Sequence, residues 1–302
     1  MKVVVLAGGF GGARFARAMA ENAEDVTIVG NVGDDAEILG LHISPDLDSI
    51  LYALTGLGDE ERGWGRKDES WNALETVAAL GGETWFQLGD RDLGLHLVRT
   101  KALRAGEPLS AVTKSLASAL GTEAVLLPAT DDTLRTWVET PAGDFPFQDW
   151  YVGRAHRDEV TGVRYEGDAH AAPGVLEALE AADLIALAPS NPYLSIGPIL
   201  AIDEIRVALE TRRVPAIAIS PLIAGRTVKG PADRMLARFA GGTGPSQVAQ
   251  CYKGLIDALV IDEADDPGEL GVTPIVTRTL MTDAAARRRL AEAVLDLALA
   301  RR

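Results

Sequence analysis

The chain has 302 residues, 47% of them hydrophobic, and a formal net charge of −15. That length holds one large α/β domain or two small ones, and the charge excludes nucleic acid and anionic membrane as partners, so any phosphate must be met by local Arg, Lys, backbone N–H groups or a metal ion. There is no apolar run of the ~20 residues a membrane span needs, no basic leader precedes the first strand, and Cys251 is the single cysteine, which together predict a cytoplasmic protein without an intramolecular disulfide.

The first predicted element is Lys2 to Ala7, whose unbroken run Val3-Val4-Val5-Leu6 suits a parallel strand buried on both faces. Gly8-Gly9-Phe10-Gly11-Gly12-Ala13-Arg14 follows at once and leads into a helix. Strand, glycine turn and helix N-terminus make a phosphate cradle. The spacing departs from the dinucleotide fingerprint, because Arg14 stands where the third glycine or alanine belongs, and no Gly-Lys-Ser/Thr follows. Arg14 in the first helical turn opposes the helix dipole unless an anion lies beside it.

Asp25 to Val29 reads as the second strand, broken by Gly30-Asn31-Val32-Gly33-Asp34-Asp35. Ser44-Pro45-Asp46-Leu47-Asp48 then opens a helix, with Ser44 or Asp46 as its cap. Asp34, Asp35, Asp46 and Asp48 near a phosphate loop repel one another unless a hard cation sits among them, which points to Mg²⁺ with Asp48 as the first contributor. Trp64 and Trp71 flank a charged loop and offer a surface to a planar ligand or a partner subunit.

Thr84 to Leu88 is expected to be a strand ending in Gly89-Asp90-Arg91-Asp92, followed by helices at about Leu93 to Arg104 and Leu109 to Leu120. His96, in an apolar stripe, reads as a structural histidine. Glu123 to Leu127 and Thr133 to Glu139 read as strands. From Pro141 to Gly167 the aromatics Phe145, Phe147, Trp150 and Tyr151 crowd beside basic residues, which marks an inserted β-rich flap or an oligomer contact.

The alternating pattern returns with a helix from Val175 and a strand from Asp183 to Ala188, which ends in a loop where Ser190, Asn191 and Ser195 offer uncharged donors for a base, ribose or phosphate. After the strand Ala216 to Ser220, Arg226 and Lys229 lie between glycines as a second phosphate grip. A helix, two strands and a final amphipathic helix from Ala284 to Arg301 complete the chain. Together these elements predict one Rossmann-like α/β domain over residues 1–302 with a doubly wound, mostly parallel sheet and inserted segments at about 44–83 and 136–172. The loops at its carboxyl edge would hold a polyphosphate and a divalent metal, and the chemistry they best support is phosphoryl or phosphodiester transfer.

The chain also resembles a known family. The glycine turn, Asn31-Val32-Gly33-Asp34-Asp35, Pro45-Asp46-Leu47-Asp48, Gly63-Trp64-Gly65, Leu88-Gly89-Asp90-Arg91-Asp92-Leu93, Pro189-Ser190-Asn191-Pro192 with Ser195-Ile196-Gly197-Pro198, and Ser220-Pro221 with Gly225 are similar, in order, to the signatures of the 2-phospho-L-lactate transferase family of coenzyme F-420 biosynthesis, and in particular to its bacterial phosphoenolpyruvyl transferase branch. The resemblance implies a Mg²⁺-dependent homodimer acting on small molecules. In the implied reaction the ribityl hydroxyl of the deazaflavin Fo attacks a guanosine-diphosphate-activated phosphoenolpyruvate or phospholactate and GMP leaves. It places the nucleotide on Gly8, Gly9, Gly11, Gly12, Ser190, Asn191, Ser195 and Gly197, with Arg226 and Lys229 as further phosphate contacts. Fo would meet Asp48, Asp90, Arg91 and Trp64; Asp34, Asp46 and Asp48 would hold the metal; and Asp48, Asp46 and Arg14 would be catalytic. Asp48→Ala is then expected to abolish transfer and leave the fold intact. The rival readings are a non-enzymatic nucleotide-sugar-binding regulator and an NAD dehydrogenase, the latter weakened by Arg14.

Overall fold

A computed structural model describes residues 1–300, so Arg301 of the expected last helix lies outside the described residues. Seven strands form one sheet: β1 (Lys2–Ala7), β2 (Asp25–Gly30), β3 (Val125–Pro128), β4 (Leu184–Leu187), β5 (Ala216–Ile219), β6 (Ala258–Asp262) and β7 (Thr273–Thr277). Their order across the sheet is β7-β6-β5-β4-β1-β2-β3, and every pairing is parallel. The inner strands are short runs of Val, Ile, Leu and Ala, and β4 and β5 are buried at every residue. That follows from helices covering both faces.

The period-2 alternation of β1 feeds two cores. Val3, Val5 and Ala7 pack under α1 (Gly9–Asn22), α2 (Pro45–Thr55) and the C-terminal helix Ala284–Ala300, through Phe15, Met19, Leu47, Ile50, Leu290 and Val294. Val4 and Leu6 pack on the other side with Val175, Leu179, Ile205, Leu209 and Val248. The fold is therefore the expected doubly wound α/β sandwich, with a parallel sheet and helices on both sides.

Between β2 and β3 the chain adds a small hairpin (Ala36–Ile38 with Leu41–Ile43), α2, α3 (Asn72–Ala79), α4 (Asp90–Arg104) and α5 (Leu109–Ala119). Of the 44–83 stretch, α2 belongs to the core, whereas α3 buries none of its residues. The 136–172 stretch carries a three-stranded antiparallel sheet with Arg135–Thr140 at its centre between Gly143–Pro146 and Gly162–Glu166. It has its own small core of Val138, Trp150, Val160, Leu194 and Met235.

One expected strand is absent. Thr84 to Leu88 is irregular, because the open edge of β2 is taken by Val125–Pro128, and Trp85 and Phe86 turn their rings to a cavity instead of a sheet. Strand order reverses between β1 and β4. Ligands in open parallel sheets lie in the crevice outside such a reversal.

Candidate active site

A cavity of about 840 Å³ opens at the carboxyl ends of β1 and β4. Its floor is the glycine turn. Gly9 has φ +68°, a conformation that favours glycine, and it starts α1, which has no side-chain cap and no acidic residue in its first turn. The Gly9 amide is taken by Asp46, and the following amides and the dipole of α1 are left for an anion. At Gly11 a Cβ would stand 2.9 Å from the Pro189 carbonyl oxygen, so the β1 and β4 loops meet backbone to backbone. Ser190 Oγ seals this contact by donating to the Gly8 carbonyl at 2.7 Å. Asn191 accepts from the Tyr193 and Leu194 amides at 2.9 and 3.3 Å and shapes the next turn. Gly8, Gly9, Gly11, Ser190, Asn191 and Ser195 line the cavity; Gly12 and Gly197 stand behind it, packed on Ser190 and Tyr165.

The acid cluster forms one wall. Asp46, in the first turn of α2, accepts from the Gly9 amide at 2.6 Å and from Asn31 Nδ2 at 2.9 Å. Asn31 also reaches Asp34 at 3.4 Å, and Gln148, supplied by the inserted sheet region, donates to the Asp34 carbonyl oxygen at 3.1 Å. Both carboxylates are buried. Burial pushes Asp46 up to about 6, although its bonds from Asn31 and Gly9 pull the other way. Burial also holds Asp34 well above the usual carboxylate range, reinforced by the charges of Asp46 and Asp35. Asp35 is also buried but does not line the cavity, accepting from Ser44 Oγ at 2.8 Å and facing His42 Nε2 at 3.0 Å.

Asp48 has a different partner. Arg99 of α4 grips it with both terminal nitrogens, Nη1 donating to Oδ2 at 3.0 Å and Nη2 to Oδ1. His96 Nδ1 lies 3.3 Å from Arg99 Nη1, and its Nε2 lies 3.3 Å from Asp92 Oδ1, which accepts from the Tyr52 hydroxyl at 2.5 Å. The result is a buried row, Asp48, Arg99, His96, Asp92 and Tyr52, along one side of the cavity. His96 is thus buried, as expected of a structural histidine, yet it lies in the cavity wall.

A hard divalent cation fits this wall in a limited sense. Burial makes Asp34 and Asp46 costly to ionise, a cost that a cation beside them offsets, and Mg²⁺ takes one or two carboxylates together with phosphate oxygens. Among the described residues there is no group of three or more His, Cys, Asp or Glu arranged as a complete metal cage. A bound phosphate would have to complete the shell.

Cations and aromatics form the rim. The Arg14 guanidinium lies 5.3 Å from the centre of the Phe10 ring and Lys229 Nζ lies 4.8 Å from it, so both charges converge at the glycine turn. Trp64 is 42% exposed, packs edge-on against Trp71 and carries Arg62 at 4.7 Å from its ring centre. Trp64, Trp85, Phe86 and Tyr151 give the cavity its flat surfaces. Besides Gly12 and Gly197, three of the expected site residues do not line the cavity. Arg226 is on an exposed ribbon with Thr227, and Arg91 is an exposed residue 3.8 Å from Asp68. Asp90 accepts from the Asn72 and Ala73 amides and from Ser70, which ties the start of α3 to the start of α4 and holds its carboxyl at about 2.

Asn31, Tyr52, Arg99 and Gln148 are in or beside the site without having been singled out from the sequence. A signal existed for one of them. Asp92, His96 and Arg99 recur at i, i+4 and i+7, which puts three polar groups on one helical face. Gln148 had no local signal, because the inserted sheet brings it to Asp34 across 114 residues.

Comparison with known proteins adds an independent line. The family described as 2-phospho-L-lactate transferase CofD matches residues 3–275. A protein named phosphoenolpyruvate transferase from Streptomyces griseus is 41% identical, covering 99% of this chain and 98% of its own. One of the same name from Mycolicibacterium smegmatis is 42% identical, covering 99% of each. Among solved structures, a UPF0052 family protein from Bacillus halodurans superposes with a TM-score of 0.64 at 18% identity over 97% of this chain and 98% of its own, a likeness of fold.

Proposed function

The chain belongs to the 2-phospho-L-lactate transferase CofD family, enzymes that transfer phosphoenolpyruvate or phospholactate groups in coenzyme F-420 biosynthesis, and on that premise we propose that it moves a phosphoenolpyruvyl group from its guanosine-diphosphate-activated form to the ribityl hydroxyl of Fo. The phospholactyl donor is the alternative. The observation that carries the reading is one cavity in which the first turn of α1, with Arg14 and Lys229, faces a buried pair of aspartates, Asp34 and Asp46. The name shared by the relatives favours the phosphoenolpyruvyl donor.

In this reading the diphosphate lies on the α1 amides at Phe10 and Gly11, with Arg14 and Lys229 drawing off its charge, and the guanosine extends past Ser190, Asn191 and Ser195. The deazaflavin rings stack among Trp64, Trp85 and Tyr151. Asp34 and Asp46, with Asp48 beside them, are the residues that would hold Mg²⁺, and the ion would supply charge neutralisation of the diphosphate. The Fo hydroxyl oxygen forms a bond to the phosphorus that carries the three-carbon acid. The bond from that phosphorus to the bridging oxygen breaks, and GMP leaves with the electron pair. An aspartate of the cluster takes the hydroxyl proton, a general-base contribution of roughly 10²–10⁴-fold. Asp48, fixed by Arg99, orients the attacking hydroxyl. The enzyme works in the cytoplasm as a homodimer, for which exposed Leu80, Leu97 and Val98 on and beside α3 and α4 supply an apolar face.

The test is transfer itself, with purified protein, Fo, Mg²⁺ and freshly prepared donor of each kind, read by mass spectrometry. Expected are a product heavier by the phospho-acid and an equivalent of GMP, both lost on chelation. Absence of product with either donor, together with unchanged Fo fluorescence, overturns the proposal; tight binding of a UDP-sugar in its place would support a regulatory protein.

A further inference from the structure

A second pocket, of about 40 Å³, opens behind α1 and shares Phe10, Arg14, Ser49, Tyr52, Glu60 and Trp64 with the wall of the large cavity. To these it adds Arg17, one turn along α1, and Arg287 from the C-terminal helix. The side chain of Arg287 is 7% exposed, and its Nε has no hydrogen-bond partner. The carboxylate oxygens nearest to it, on Glu21 and Glu60, are each 3.9 Å away, beyond hydrogen-bond reach. Arg14 Nε is likewise buried and unpartnered.

Glu60 is spread thinly among these groups, 3.4 Å from Arg14, 3.2 Å from Arg17 and 3.9 Å from Arg287. Asp59 also lines the pocket but is paired with Arg62 at 2.6 Å, so the three guanidinium groups against the two carboxylates of Glu21 and Glu60 leave one surplus positive charge, in a chain whose net charge is −15. Burying a guanidinium whose N–H groups stay unbonded is unfavourable unless something else accepts from it. Its planar fork matches a carboxylate.

We propose that Arg14, Arg17 and Arg287 form a subsite for the carboxylate of the transferred three-carbon acid, an assignment that rests on the transferase reading above. In the donor this carboxylate carbon is three bonds from the phosphorus that is attacked. Arg14 lines both spaces, so a phosphate on the glycine turn delivers its acid to the smaller pocket. The volume admits a carboxylate-sized group and excludes a base. Arg287 lies beyond the family-matched residues 3–275, so that match does not supply it.

The experiment compares binding of guanosine-diphosphate-activated lactate, its methyl ester and GDP by titration calorimetry. Wild-type protein is expected to prefer the free acid over the ester by at least tenfold. Arg287→Met should reduce that preference to within twofold while GDP affinity changes by less than twofold, and Arg287→Lys should restore part of it. Arg17→Gln, at a half-exposed position, repeats the test without disturbing the core and should lower the preference several-fold. Preference retained in both Arg287→Met and Arg17→Gln, or an equal loss for GDP, overturns the subsite and leaves the transferase reading standing. Failure of the wild type to bind either nucleotide overturns both.

Discussion

Asp46 and Arg99 decide what the wall of this cavity is worth. Asp46 has a folded value of about 6 against an ordinary 3.8, so the folded protein holds that proton more tightly than the unfolded chain does. Such a group stabilises the fold fully below about pH 4, and the stabilisation is lost as pH climbs through about 6. Metal-free protein should therefore melt lower at pH 8 than at pH 5.5 on this account, and Mg²⁺ should raise the midpoint more at pH 8, where it need not displace a proton. Asp46→Asn should flatten both trends in paired thermal melts with Mg²⁺ and with chelator. An unchanged Mg²⁺ increment in that variant would remove Asp46 from the metal site. Arg99 is the opposite case, a buried cation whose two terminal nitrogens both pair with Asp48. Arg99→Met strands a buried carboxylate and should cost about 3–5 kcal/mol in urea unfolding, whereas the double variant Arg99→Met with Asp48→Asn should recover much of it. The same pairing alters what Asp48→Ala reports: it leaves Arg99 buried without its partner, so lost activity would mix with lost stability, and Asp48→Asn is the cleaner variant.

At the scale of elements, the glycine turn was legible because an apolar run, four glycines and a helical period leave one arrangement open. What the sequence could not display is why each glycine is needed. Gly11 is small because the Pro189 carbonyl of a loop 178 positions on, in 189 − 11, passes against it, and that neighbour exists only once β4 has paired with β1. Gly11→Ala should push the two loops apart. The expected result is at least a tenfold loss of donor affinity with a melting midpoint within a few degrees of wild type, measured by calorimetry and thermal melt. An alanine variant with full affinity would mean that the β4 loop takes no part in binding. The acid cluster was legible for the same local reason, as closely spaced aspartates after a strand. The Thr84 to Leu88 segment reads as a strand because a short run with two adjacent aromatics looks alike whether it faces a sheet or a ligand cavity. The partners of Arg99 and Gln148 are 51 and 114 residues away; the helical spacing of Asp92, His96 and Arg99 marks a polar face but not its partner Asp48, and nothing near Gln148 marks it at all.

On the scale of the whole molecule, the sheet reversal collects loops from both halves of the chain, and the C-terminal helix closes the assembly. That helix lies on α1 through Leu290, Ala291, Val294 and Ala298, which are fully buried in the same core as Phe15 and Met19. Since α1 begins at the glycine turn, its axis sets where the amide cradle points, and the C-terminal helix, together with α2 and β1, holds that axis. Leu290 is the residue that isolates this coupling, because it touches the core and lines neither pocket. Leu290→Ala should lower stability by about 2–5 kcal/mol, with a lower urea midpoint and an unchanged slope. If the helix and the sheet unfold as one unit, circular dichroism and tryptophan fluorescence will report the same midpoint in the variant. Separate midpoints would show that the C-terminal helix detaches first, and the orientation of α1 would then have to come from its contacts with β1 and α2 alone.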